Sequence, residues 1–304
     1  MSRRTVLVRV AQAVIALVIM GTAVHTLRGQ WSEVRQVAST VRLGWTALGA
    51  ASAIVLAAYL VLVAAWRHVV NAMGGTLRYA DAAYVWFVSA LARYAGALWQ
   101  VVALSALAKQ RGAPPVTAAG AAIVMTIVNI LTGFGVVLAT GAVAASALGT
   151  RAHVALAVGV AALIAAPVLA PRLQPVVSRL TGREAEIPVL TPGAVWVAAV
   201  GSVVSWLLYG VAFMLLTHAV LGTAPGGWLV YVSVYTTAYL AGLLGLVPAG
   251  VGVAEGAMVA AFAIAGILPP AEALTVAVVS RLWRTVLEIV PGLVLLATRP
   301  RSRT

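Results

Sequence analysis

Three charged residues stand out in the last apolar stretch of the sequence: Arg281, Arg284 and Glu288. Steps of three and four residues put them on one face of a helix. Arg or Glu near a bilayer centre costs about 2.5–3.5 kcal/mol, so such residues normally face a bundle interior and pair. Arg284 and Glu288 can pair within the helix. That leaves Arg281, or Arg93 far upstream, to meet an anionic group. A structural ion-pair network holding helices together would use the same residues, and Arg93 could instead snorkel to an interface.

A second constellation is Leu246-Val247-Pro248-Ala249-Gly250-Val251-Gly252-Val253-Ala254-Glu255-Gly256. Pro248 removes a helical hydrogen bond. Gly250 and Gly252 permit positive φ and close approach of a ligand. A helix starting at Val253 or Ala254 would present free N–H groups and a partial positive charge, a place for a phosphate. Glu255, in that first turn, is favoured by the helix dipole and is a candidate counter-ion for Arg281. The bland alternative is a plain interhelical turn.

An earlier interruption, Leu91–Gln100, sets Arg93, Tyr94, Trp99 and Gln100 in otherwise apolar sequence around Gly96. Irregular backbone at membrane depth is tolerated only where protein or a water-filled cavity satisfies it. Paired interrupted segments, one in each half of a chain, point to a transporter site near the bilayer midplane.

The elements that must carry these residues follow from composition. Hydrophobic residues make up 62% of the 304 positions and charged residues 9%, against about 25% charged in soluble domains. Such a chain needs lipid around it. At roughly 20 apolar residues per crossing, it forms an all-α, polytopic helical bundle of about eight spans with one or two re-entrant or broken helices. The whole of 1–304 reads as a single transmembrane domain with no soluble domain attached. The Arg-Arg pair before the first apolar run resembles a twin-arginine signal, but an uncleaved first helix is the simpler reading.

Spans are expected near 6–27, 43–66, 116–148, 152–169, 193–221 and 271–297, with interrupted segments at 78–110 and 228–267. The net charge of +13 lies in short loops and at the ends, as in a membrane protein with a basic cytoplasmic face, and not in a nucleic-acid footprint. If 78–110 dips in and returns on the same side, only Arg28, Arg35, Arg42 and Arg151 among the loop basic residues lie outside. A single crossing there would carry the basic loop at 172–191 to the outer face. The bias therefore favours a re-entrant hairpin, with both termini cytoplasmic and the protein in the cell membrane.

Enzyme chemistry finds no foothold. The chain has no Cys, no His-Glu-x-x-His and no phosphate-binding Gly-x-x-x-x-Gly-Lys loop. His25, His68, His153 and His218 are scattered near span ends, so no metal and no cofactor is expected. Tyr231, Tyr235 and Tyr239, with Trp228, form a stripe at helical spacing; packing or an interfacial belt explains it more simply than a headgroup cage.

Pro248, Gly250, Gly252, Glu255, Gly256, Pro269 and Arg281 resemble, in order, the late signature of the lysylphosphatidylglycerol synthase transmembrane-domain family, the flippase-like part of the multiple peptide resistance factor. Arg93, Tyr94, Gly96 and Trp99 resemble its early signature, with the proline before the glycine missing and the spacing about one residue tight. The resemblance implies a bundle with two re-entrant elements and a lipid-accessible cavity, and movement or binding of an aminoacylated phospholipid or a polyprenyl-linked sugar.

The expected function is a lipid transporter that takes an anionic headgroup where the broken segments meet. Arg93, Tyr94, Trp99, Pro248, Gly250, Gly252, Glu255, Arg281, Arg284 and Glu288 are the candidate binding residues. The amides of 250–255 and Arg281 are the expected phosphate holders. With no nucleotide site in view, movement would be passive, partner-driven or ion-coupled. The alternatives are a lipid-binding scaffold for a membrane glycosyl- or aminoacyl-transferase, and a small-solute transporter. A second copy of the chain is a further candidate partner. The Ala, Gly, Val and Arg content suits a GC-rich bacterial genome.

Overall fold

The computed structural model describes residues 43–93, 97–141, 191–244 and 252–298, together with residue 161. The expected spans at 6–27 and 152–169, and most of the basic loop at 172–191, lie outside these residues. The described chain forms α1 (Trp45–Ala72), α2 (Tyr79–Ala92), α3 (Ala97–Lys109), α4 (Pro115–Thr140), α5 (Pro192–Leu221), α6 (Trp228–Leu244), α7 (Val253–Ala265) and α8 (Pro270–Thr298). No strand occurs among the described residues.

Punctuation residues set the helix bounds. Pro115 and Pro192 occupy the first turns of α4 and α5, where a missing N–H costs nothing. The Thr191 side chain caps α5 by accepting the Ala194 N–H. Gly222 and Gly266 close α5 and α7 in the left-handed conformation.

The helices fall into two lengths. α1, α4 and α5 run 28, 26 and 30 residues and are apolar enough to cross a membrane. α8 is equally long at 29 residues, but carries Glu272, Arg281, Arg284 and Glu288. α2, α3 and α7 have only 13 or 14 residues and α6 has 17. At about 1.5 Å per residue they fall short of a hydrocarbon core of about 30 Å.

The short helices pack as two hairpins, α2 on α3 and α6 on α7. The first is sewn at its base. Thr76, before α2, donates from its amide and its hydroxyl to the Gly112 carbonyl, after α3, at 3.2 and 2.9 Å. Arg111 pairs with Asp81 at 2.8 Å and lies 3.9 Å from the Tyr84 ring centre. The two ends of segment 78–110 therefore lie together, the arrangement the charge bias favoured. In the second hairpin the Tyr231 and Phe262 rings lie 6.1 Å apart, and Gly242 lets α6 approach Ala254 of α7.

Long helix, hairpin, long helix thus occurs twice. The two sets pack reciprocally: α2 lies on α8, and α6 lies on α4. α1 and α5 form the central contact and run antiparallel. The Gly44 N–H donates to the Ala219 carbonyl at 2.8 Å, the Ser205 hydroxyl reaches the Ala58 carbonyl at 3.3 Å, and Gly201 faces Ala65. An antiparallel central pair makes the sets inverted copies of one plan, an arrangement in which the site lies between the repeats. Glycines permit the closest approaches. A Cβ on Gly210 would lie 2.4 Å from Val232 Cα, and one on Gly292 would lie 2.7 Å from the Phe87 carbonyl oxygen.

Candidate functional site: a polar cavity between inverted halves

α8 organises the polar residues, because its spacing places Arg281, Arg284 and Glu288 along one face. Each end of this charged stretch holds one hairpin tip. Glu288 pairs with Arg93, which caps the C-terminus of α2. Arg281 pairs with Glu255, in the first turn of α7, at 2.5 Å. Arg284 lies between these anchors.

The Arg281 cluster is already charge-matched. The Glu255 side chain uses one oxygen for Arg281 and the other to accept the Gly252 N–H at 2.8 Å. Gly252 itself sits at φ 80°, which suits a residue without a Cβ. The pair is nearly enclosed, with side chains 13% and 14% exposed. The helix N-terminus proposed as a phosphate cradle thus already has a carboxylate of its own chain on the Gly252 amide.

The other two charges open onto a cavity of about 80 Å³, several times what one water needs. Arg93 and Gln100 from the first hairpin, Asn129 from α4, and Arg284 and Glu288 from α8 line it. Tyr59 and Tyr209 contribute from the central helices, Tyr235 and Tyr239 from α6, and Trp86 and Trp206 complete an aromatic wall. Both inverted halves therefore contribute walls.

Hydrogen bonds and ring contacts fix this wall. Tyr59 donates to Glu288 at 3.4 Å, so Glu288 serves both Arg93 and Tyr59. Trp206 donates to the Asn129 carbonyl at 3.3 Å. The Tyr59 and Tyr209 rings meet edge to face at 5.9 Å, and Trp206 and Tyr239 do so at 5.1 Å, a favourable aromatic geometry. Arg284 lies 5.5 Å from the Tyr235 ring centre, and its Nε is buried without a hydrogen-bond acceptor. A guanidinium that retains a donor beside a polar cavity can take an oxyanion.

Of the residues singled out in the sequence, Arg93, Arg284 and Glu288 come together here, while Glu255, Arg281 and Gly252 form the separate tip cluster. Trp99 is 53% exposed and does not line the cavity, although its neighbour Gln100 does. Tyr94, Pro248 and Gly250 lie outside the described residues. The tyrosine stripe divides: Tyr231 is buried and donates to the Pro225 carbonyl, whereas Tyr235 and Tyr239 face the cavity. Sequence reading missed Tyr59, Asn129, Trp206 and Tyr209. Asn129, a lone amide in an apolar span, and the recurrence of tyrosine at 59 and 209 in spans of the two halves were the available signals. Among the described residues no cluster of His, Asp or Glu could hold a metal.

The family model described as the lysylphosphatidylglycerol synthase TM region matches residues 8–292. The chain therefore belongs to that family, and the match covers both helix sets and the cavity between them. Family and fold together define a helical membrane protein with a lipid-related role. A search among curated proteins finds no match.

Proposed function

We propose that the protein is a flippase-like lipid transporter of the cell membrane, with both termini cytoplasmic, and not an enzyme. The headgroup enters the cavity between the hairpin tips while the acyl or prenyl chains stay in lipid. The observation that carries this reading is the position of Arg93, Arg284, Glu288 and four tyrosines in one cavity walled by both inverted halves. A buried polar site is costly to maintain in a membrane domain, and a site between inverted repeats can be opened to either face.

This reading shifts the headgroup contact from Arg281 to Arg284. Arg281 is held by Glu255, which makes it a brace for the second hairpin. Arg284 keeps its Nε for a ligand.

The test is translocation of a tail-labelled anionic phospholipid in proteoliposomes, read by quenching of the outer leaflet. The wild type should equilibrate the label well above empty vesicles, and Arg284→Ala should lose most of that rate while remaining monodisperse. A wild-type rate equal to that of empty vesicles would sink the transporter reading. Uptake of a small solute by those same vesicles would then favour a solute transporter, and co-purification of a membrane transferase would favour a scaffold.

A further inference from the structure

We infer that the joint at the base of the first hairpin is a separate lipid site, which holds the headgroup of one anionic phospholipid at the membrane surface as a bound lipid and not as cargo. It lies apart from the cavity and does not depend on transport. Two of the membrane-length helices end at this joint, α1 at Ala72 and α4 at Pro115, so it sits at the level of lipid headgroups. Its backbone is fixed. The Asn71 side chain accepts the Leu77 N–H at 2.8 Å and donates to the Leu77 carbonyl at 3.1 Å. Arg67 Nε donates to that same carbonyl at 2.8 Å. The Thr76–Gly112 bonds tie the loop to the end of α3, and Gly74 and Gly112 turn the chain at φ 91° and 90°.

This rigid joint carries unmatched positive charge. Asp81 is the single acidic residue in 67–116, and Arg111 pairs with it. Arg67, Arg78 and Lys109 have no carboxylate partner among the described residues, and Arg78 and Lys109 are exposed. The hairpin plan does not require them: the base of the second hairpin has no Lys or Arg in 218–228 or 266–272. A basic excess on one face also serves as a topology signal, but such a signal needs neither a fixed loop nor an apolar strip beneath it. Here Tyr79, next to Arg78, lies against α1 with its hydroxyl donating to the Leu60 carbonyl at 3.0 Å. Tyr79 and Leu60 are 40% and 43% exposed. Leu60 precedes Arg67 by seven residues of α1, about 10 Å deeper in the membrane. Cations at the surface with an exposed apolar strip below them match the headgroup and chains of one lipid, whereas a soluble anion would use the cations alone.

The experiment uses the full chain in detergent, where topology signals play no part. Short-chain phosphatidylglycerol and short-chain phosphatidylcholine are titrated in turn, with glycerophosphoglycerol as the chain-free anion. The wild type should bind phosphatidylglycerol at least about tenfold more tightly than phosphatidylcholine. The double variant Arg78→Gln, Lys109→Gln should lose about fivefold in phosphatidylglycerol affinity for each cation removed, with phosphatidylcholine binding unchanged. Arg78→Lys should keep the wild-type affinity. A melting curve without lipid should match the wild type, because neither side chain holds another residue, so the loss is one of binding and not of fold. The cavity is separated by Arg284→Gln, in which the double substitution should cause the same loss. Equal wild-type binding of the two lipids, or undiminished phosphatidylglycerol binding in the double variant, would overturn the inference. A loss seen only with Arg284 intact would place the lipid in the cavity and also overturn it, and so would glycerophosphoglycerol binding as tightly as the lipid. If this binding holds while proteoliposomes fail to translocate lipid, the transport reading falls and the surface site stands.

Discussion

Glu288, in the second half of α8, receives Arg93 from the tip of a hairpin 195 residues earlier in the chain. The contact joins the two inverted halves through the wall of the cavity, so the residues that shape the site also hold the halves together. Three residues before Arg284 and four after it, α8 holds one hairpin tip each by an ion pair.

Removing either member of the cross-half pair should loosen the fold moderately. The side chains of Arg93 and Glu288 are 37% and 20% exposed, so water screens part of the interaction. Arg93→Ala and Glu288→Ala are each expected to cost about 1–2 kcal/mol. Thermal unfolding of the two single variants and the double variant should show a double loss smaller than the sum.

The second pair is more enclosed, and Glu255 also caps α7. Glu255→Ala leaves Arg281 buried without its partner and should cost about 3 kcal/mol. Glu255→Gln retains an acceptor for the Gly252 amide and should cost less. Arg281→Ala in the Glu255→Ala background should recover part of the loss, as read from melting curves in detergent.

Glycines divide by what a methyl would meet. Gly210→Ala drives a Cβ onto Val232 and should cost about 3 kcal/mol or more. Gly135→Ala, with nothing within 4 Å of the new atom, should gain up to about 1 kcal/mol from helix propensity. Parallel unfolding curves check both signs.

The absence of cysteine makes topology directly measurable. Thr76→Cys and Gly112→Cys, at the base of the first hairpin, should react with a membrane-impermeant maleimide from the same, cytoplasmic, side. Gly227→Cys and Pro269→Cys, exposed at the base of the second, should react from the opposite side. Labelling of Thr76→Cys and Gly112→Cys from opposite sides would show that 78–110 crosses the membrane once.

Much of the architecture was legible because lipid imposes simple rules. The starts of α4 and α5 and the end of α5 fall within a residue of the apolar boundaries expected near 116, 193 and 221. The Lys/Arg bias favoured a first segment that returns, and the Thr76–Gly112 bonds bring its two ends together. The site was harder to read. Spacing brought Arg281, Arg284 and Glu288 onto one face, and Glu255 was a candidate for Arg281. Helical periodicity offers only local pairings such as Arg284 with Glu288, so it could not find Arg93, which reaches Glu288 through a fold contact. Tyr59 and Tyr209 look like ordinary span aromatics until antiparallel packing of α1 and α5 brings their rings together.

That antiparallel packing has an energetic consequence. If the protein transports lipid as proposed, two upside-down copies of one plan could trade conformations, and the traded state would face the other leaflet with similar internal contacts. States related in this way differ little in free energy. On that proposal a carrier of this design would need no fuel to reach either state, and the direction of net flow would be set by the lipid concentrations on the two sides. The deviations from symmetry, chiefly the Arg281–Glu255 pair present in only one half among the described residues, would bias which leaflet the resting protein faces.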